Sequence, residues 1–305
     1  MHILRTPEER FAGLEGWNFE PRYREVEHDD GTRLRYHFVD EGPRDAAPVL
    51  LLHGNPSWSY IHRHMIRGLA ARGHRVVALD LMGLGRSDKP SEMSDYTLER
   101  HVTWMGRWLE AEDLREVTLY CQDWGGLTGL LVVRRHPARF ARIVASNTGI
   151  PVGEGVSRFM QQWLEFSQSV PELDVGGLIA GGTTRALTEN ELAAYRAPYP
   201  DGSYQAGVKQ FPLLIPVQPE NPGVPLCVDA WAFLENWTKP FLTAYGALDP
   251  VSTKPGAHLK FQQRVPGAAG HPHRIFPEAN HFIQEDAPDG LVELIDDFVP
   301  RGDRR

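Results

Sequence analysis

Short apolar runs alternate along this chain with longer stretches in which apolar residues recur three and four apart. Pro48-Val49-Leu50-Leu51-Leu52 is apolar at every position, the mark of a strand buried on both faces, and a second buried strand is predicted at 75–79. Residues 23–28 and 33–40 read as two opening strands, with Asp29-Asp30-Gly31 between them as a hairpin turn. Further strands are predicted at 116–119, 143–146, 241–246 and 273–276. Helical spacing covers 60–72, 96–109, 127–133, 227–237 and 290–298; Trp104 and Trp108, four apart on one face, are expected in the core. Strands and helices alternating in this way predict an α/β fold, with a mostly parallel central sheet flanked by helices.

From residue 150 the pattern changes. Amphipathic stretches at 156–170 and 188–195 are separated by Gly176-Gly177, Gly181-Gly182 and a proline-rich run containing Pro212, Pro216, Pro219, Pro222 and Pro225. This predicts a helical cap domain, residues 150–223, inserted into a core domain made of 1–149 and 224–305. The run Leu81-Met82-Gly83-Leu84-Gly85-Arg86-Ser87-Asp88 lacks the Gly-Lys-Ser/Thr of a phosphate cradle and the strand-to-helix setting of a serine elbow. It reads instead as a glycine-rich loop closing the crevice.

The chemistry centres on Tyr120-Cys121-Gln122-Asp123-Trp124-Gly125-Gly126, which follows a predicted strand and precedes a predicted helix. That context is a nucleophile elbow, with Asp123 at the apex between the small residues Cys121, Gly125 and Gly126. A carboxylate attacking an acyl group would give an anhydride, whereas attack on a saturated carbon displaces a leaving group and gives an ordinary ester. Taken alone, Asp123 is as well explained as a helix N-cap. Partners at other strand ends favour catalysis: Asp249 lies just past the 241–246 strand, and His281 lies past the next one, in Pro277-Glu278-Ala279-Asn280-His281-Phe282. Asp249 before Pro250 could start a turn and His281 is one of 13 histidines, but nucleophile, acid, histidine is the order of the α/β-hydrolase triad.

Composition narrows the rest. The length of 305 residues allows about two domains or one large α/β unit, and a formal charge of -8 removes the electrostatic footprint of a nucleic-acid binder. Two cysteines cannot make a disulfide framework, which predicts a reducing compartment. The charged N-terminus lacks the apolar core of a signal peptide, and no stretch reaches the ~18 apolar residues of a membrane span. A soluble, cytoplasmic protein is expected. His271 and His273 have no Cys, Asp or Glu ligand set nearby, so no metal is assigned, and Arg301-Gly302-Asp303 is taken as a chance tripeptide.

His-Gly-Asn-Pro-Ser-Trp at 53–58, Gln-Asp-Trp-Gly-Gly at 122–126, Asp249 after a late strand and Asn-His-Phe at 280–282 together resemble the haloalkane dehalogenases, over nearly the whole chain. Asn147 follows the sixth strand and cannot ionise, so the resemblance is to the subgroup whose triad acid follows the seventh. It implies the α/β-hydrolase fold with a cap, and a catalytic triad of Asp123, Asp249 and His281. It further implies halide binding by Trp124 and by a cap tryptophan that Trp163 matches, and an oxyanion hole from the backbone N–H groups of Asn55 and Trp124. Phe159, Phe166 and Phe282 are candidate pocket residues. A departing halide needs donors in a dry pocket, and indole N–H groups donate without accepting.

The expected reaction takes a small apolar halogenated substrate and water to a primary alcohol, a halide and a proton, with no cofactor, in a monomer. An epoxide hydrolase shares the triad but needs acidic hydroxyl donors, for which Tyr195, Tyr199 and Tyr204 are available. A haloacid dehalogenase would want arginine after the nucleophile, where Trp124 stands. A non-catalytic receptor that keeps the pocket would not need the three triad residues intact.

Overall fold

A computed structural model describes residues 1–300; Arg301-Gly302-Asp303 lies outside the described residues. The predicted strands assemble into one eight-stranded sheet: β1 Arg22–Glu27, β2 Arg33–Glu41, β3 Pro48–Leu52, β4 Arg75–Leu79, β5 Val117–Gln122, β6 Phe140–Ser146, β7 Phe241–Gly246 and β8 Arg274–Phe276. Their spatial order is β8-β7-β6-β5-β3-β4-β2-β1, with β1–β2 and β2–β4 antiparallel and every other pair parallel. The order reverses at β3, which has β4 on one side and β5 on the other. Such a switch point opens a crevice beyond the carboxyl ends of the strands, and here those ends lead into Asn55 and Asp123.

Every residue of β3, β5 and β7 is buried, as continuous apolar runs require in a sheet covered on both faces. Outside the main sheet, Ile3–Leu4 pairs with Lys89–Pro90 as a short antiparallel ribbon. The flanking helices of the core are α1 Arg63–Ala70, α2 Leu98–Ala111 and α3 Asp123–Arg135, then, after β6, α8 Val224–Leu234, α9 Ala257–Arg264, α10 Ile283–Asp286 and α11 Pro288–Phe298. Trp104 and Trp108 are fully buried on α2, as their spacing predicts, and the Trp108 ring meets Phe38 of β2 at 5.5 Å.

Between β6 and α8 lie four helices: α4 Arg158–Ser169, α5 Val175–Gly181, α6 Glu189–Arg196 and α7 Ala206–Leu214. Their starts are set by local chemistry. The side chains of Ser157, Asp174 and Thr188 each accept a first-turn N–H, and Thr188 with Glu191 forms a reciprocal capping box.

Three local expectations change. The stretch 60–72 splits into a 3-10 turn, Ser59–His62, whose first N–H is taken by the buried Asp80 carboxylate (2.7 Å), and α1. Glu116 stands outside β5 with φ 52, in the left-handed region that a strand cannot use. The 81–88 loop lines neither cavity beside Asp123. It folds around Asp80, whose carboxylate accepts the N–H of Arg86 (2.8 Å) and pairs with His37 Nδ1 (2.7 Å).

Candidate active site

Asp123 sits at the junction of β5 and α3 with φ 50, a strained left-handed conformation that throws its side chain clear of the sheet. Close packing around the elbow demands small neighbours. A Cβ on Gly125 would lie 2.5 Å from the carbonyl oxygen of Leu52, and one on Gly54 would lie 2.4 Å from Asp123 Oδ1. The N–H of Asp123 donates to the carbonyl of Asn147 (3.1 Å), and its own carbonyl accepts the Thr148 hydroxyl (2.7 Å). Oδ1 accepts the backbone N–H of Asn55 at 2.9 Å.

Burial pushes the Asp123 carboxyl above its ordinary pKa, although His281 and the backbone N–H groups of Trp124 and Asn55 pull against that shift.

The loops after β7 and β8 bring the two distant partners to this point. His281 Nδ1 stands 3.1 Å from Asp249 Oδ1, and Nε2 stands 3.6 Å from Asp123 Oδ2. The second distance is too long for a direct hydrogen bond. Asp249 is fully buried and accepts from Val251 N (2.9 Å), Ser252 N (3.1 Å) and the Ser252 hydroxyl. Burial would raise its pKa, but His281 and these donors win and hold it down to about 2. A carboxylate at that place accepts a hydrogen bond from the Nδ1–H of His281, which fixes the tautomer and leaves the Nε2 lone pair facing Asp123. For His281 itself, burial lowers the pKa, yet Asp249 and Asp123 together leave it raised.

Two residues with no role assigned from sequence complete the frame. Asn147, at φ 36 after β6, donates from Nδ2 to the carbonyls of Asn280 (2.8 Å) and His281 (2.9 Å) and accepts the N–H of Gly246 (2.8 Å). Gln122 donates to the His281 carbonyl at 3.2 Å. The only local signal was an asparagine at a strand end, where left-handed backbone favours it.

A cavity of about 310 Å³ opens over Asp123, walled by Asn55, Trp124, Phe159, Trp163, His281 and Phe282 among others. Trp124 and Phe282 are buried, whereas Phe159 is 45% exposed. Phe166, a candidate pocket residue, is not part of that wall: it is 46% exposed and leans on the Trp163 ring at 6.2 Å. A second cavity of about 210 Å³ shares Asp123, Trp124 and Met160 and reaches the surface beside the Glu154–Lys260 ion pair (2.7 Å).

Tyr195, Tyr199 and Tyr204 line neither cavity. The Tyr195 hydroxyl donates to Glu285 instead, and that of Tyr199 faces the Pro56 carbonyl. Among the described residues one cluster, His64, Glu191 and Glu285, has the reach to hold a metal ion, but Arg63 and Arg185 occupy both carboxylates. His273 is spent on Thr243 N (3.1 Å) and the Ala268 carbonyl (2.9 Å).

The sheet order, the strained elbow and a nucleophile-acid-histidine arrangement define an α/β hydrolase, and a family model described as the alpha/beta hydrolase fold matches residues 47–288. A haloalkane dehalogenase of Psychrobacter cryohalolentis is 47% identical over 98% of each chain, and one of Mycobacterium marinum is 45% identical over 97% of this chain and 99% of its own. Among solved structures, the tetrameric haloalkane dehalogenase DpaA from Paraglaciecola agarilytica superposes with a TM-score of 0.89 at 36% identity, covering 97% of both chains. The chain belongs to the haloalkane dehalogenase family, as its motifs led one to expect.

Proposed function

We propose that this enzyme hydrolyses haloalkanes by two displacements at Asp123. The observation that carries the reading is the division of labour between the two Asp123 oxygens: Oδ1 rests on the Asn55 N–H, while Oδ2 faces the cavity and His281. Oδ2 attacks the halogen-bearing carbon, the carbon–halogen bond breaks with its electron pair on the halide, and an alkyl ester forms. The ester carbonyl oxygen is then Oδ1, already on the N–H of Asn55, which with the N–H of Trp124 is assigned to the oxyanion hole. His281, oriented by Asp249, takes a proton from water as that water adds to the ester carbonyl. Breakdown releases a primary alcohol, regenerates the carboxylate and leaves a halide and a proton.

Esterification also removes the negative charge of Asp123, one of the groups that raises the pKa of His281. The histidine therefore becomes easier to keep neutral at the stage where it must act as base.

The departing halide is assigned to the indole N–H groups of Trp124 and Trp163. Phe159 and Phe282 are assigned to the apolar wall, and residues 150–223 to a cap over the core formed by 1–149 and 224–305. Replacing Trp124 or Trp163 with phenylalanine keeps the ring and removes the donor, and each should lower kcat/KM for a bromoalkane by about 10²- to 10³-fold. If Trp163→Phe leaves turnover and halide quenching of fluorescence unchanged, a different group is the second donor.

Incubation with a bromoalkane and, separately, with an epoxide tests the reading directly. Bromide and alcohol should form and diol should not, since no tyrosine hydroxyl reaches the cavity. Diol formation without bromide release would overturn it. All the groups invoked come from one chain, which makes a monomer sufficient for the chemistry; sedimentation would show whether it assembles as its Paraglaciecola neighbour does. No helix of the described residues is long and apolar enough to cross a membrane, and Cys121 and Cys227 are both free buried thiols, in keeping with a cytoplasmic site of action.

A further inference from the structure

The loop carrying His281 is gripped from two sides. The core holds its carbonyls, through Asn147 and Gln122. The cap side holds its N–H groups. Asp286 Oδ2 accepts the N–H of Asn280 at 2.8 Å, while Oδ1 of the same carboxylate accepts the N–H groups of Thr184 (2.8 Å) and Arg185 (3.2 Å). Beside it, the N–H of Phe282 donates to the carbonyl of Gly182 (3.0 Å), and Arg185 Nε donates to the carbonyl of Glu285 (3.1 Å). One side chain thus ties the residue before His281 to two consecutive residues of a segment about 100 positions away in sequence.

Hydrogen bonds from N–H groups to a carboxylate are shorter and stronger than those between neutral groups, and three of them converge here. The two steps of the reaction depend on this bridge to different degrees. Asp123 is fixed by Asn55, Asn147 and Thr148, without Asp286 in the path. The helix bearing Trp163 is tied to α7 through Gln168 Nε2 on the Lys209 carbonyl (2.9 Å) and Lys209 Nζ on the Val170 carbonyl (2.7 Å), again without Asp286. Of the groups assigned to the reaction, His281 is the one whose loop Asp286 holds directly.

We propose that Asp286 is a positioning residue that joins the cap segment 182–185 to the histidine loop 280–282, so that His281 is aligned for water activation while the cap is seated. The proposal rests on the assignment of His281 as base of the second step. Without the bridge, alkylation proceeds and ester hydrolysis slows, since displacement of a catalytic group by about 1 Å costs on the order of 10²-fold.

The test follows Asp286→Ala and Asp286→Asn through a single turnover of 1-bromobutane by rapid quench, measuring bromide, butanol and protein mass at each time. In Asp286→Ala the bromide step should keep the rate of the unsubstituted enzyme. Butanol should appear roughly 10- to 100-fold more slowly, and the protein should carry a butyl ester in the interval. Asp286→Asn retains one carbonyl oxygen and can hold one side of the bridge, so its hydrolysis rate should fall between the two; if the alanine variant does not fold, the asparagine variant decides by the same criteria. Equal slowing of both steps, as a general loss of structure would give, or no slowing of either, overturns the proposal. His281→Phe run in parallel separates the two layers of argument: if it traps no ester, the base assignment fails and the role of Asp286 falls with it.

Discussion

Replacing His281 with phenylalanine should stop the enzyme after one bromide per protein molecule, with the alkyl group left on Asp123. In the proposed mechanism the first displacement needs the Oδ2 lone pair and the proposed halide donors, and the imidazole sits 3.6 Å from that oxygen without a hydrogen bond to it. The second needs a base for water, and removing a positioned general base costs on the order of 10²- to 10⁴-fold. Intact-protein and peptide mass spectrometry would show the adduct on the Asp123 peptide. In labelled water, the unsubstituted enzyme should incorporate ¹⁸O into Asp123 over repeated turnovers and His281→Phe should not. An unmodified peptide after bromide release, or full-rate alcohol formation, would remove His281 from its role.

The same logic sets the acid limb of the wild-type enzyme. His281 must be neutral and Asp123 ionised; both pKa values are raised, from ordinary values of 6.5 and 3.8 respectively. The histidine's ordinary value is the higher of the two, so the histidine is expected to take its proton first as pH falls. In the window between the two titrations, bromide should burst to one equivalent and alcohol should lag, so the ester becomes visible without any substitution. Because the ester carries no charge, hydrolysis should fail at a lower pH than the titration of His281 in the free enzyme.

Much of this site was legible in the chain because its parts are local. A strand, a strained apex and a helix within seven residues mark Asp123, and the loops after β7 and β8 carry Asp249 and His281 at strand ends, where a parallel sheet gathers ligands. The supports were not legible. Asn147 and Asp286 act through bonds from their side chains to the main chain of segments far off in sequence, and such bonds leave no periodicity to read. Phe166 was misplaced because the aromatic residues at 159, 163 and 166 share one helical stripe, whereas α4 turns the neighbouring stripe of 160, 163, 164 and 167 inward and leaves Phe166 exposed, a rotation that spacing alone does not give. The 81–88 glycines serve Asp80 rather than the crevice for a similar reason: what a loop wraps is decided by a buried carboxylate that no neighbouring residue announces.

Replacing Arg63 with methionine should destabilise the fold by about 3–5 kcal/mol, the usual cost of removing one partner from a buried ion pair. At this chain length that lowers Tm by about 5–8 °C. Arg63 is 1% exposed; it donates to Glu191 at 2.7 Å and to both oxygens of Glu285, with Glu285 Oε2 at 3.0 Å. Arg185 closes the box from the segment before α6, bonding Glu191 (2.6 Å) and Glu285. Burial alone would raise both carboxyls, but the arginines win: the pKa of Glu285 is lowered, and that of Glu191 falls to about 2. Depressed carboxylates stabilise the fold above their unfolded pKa of about 4.3, and that contribution is lost as pH falls through the folded values. In Arg63→Met Glu285 loses the largest of the interactions that hold its pKa down, while Arg185 and the Thr188 N–H still hold Glu191, so stability should depend less steeply on pH below 5 than in the unsubstituted protein. Adding Glu285→Gln leaves Arg185 one carboxylate to pair instead of two and should restore part of the loss, which denaturant melts of the single and double variants at pH 4 and pH 7 would measure. A single-variant cost below about 1 kcal/mol would place the cluster among solvent-screened surface pairs.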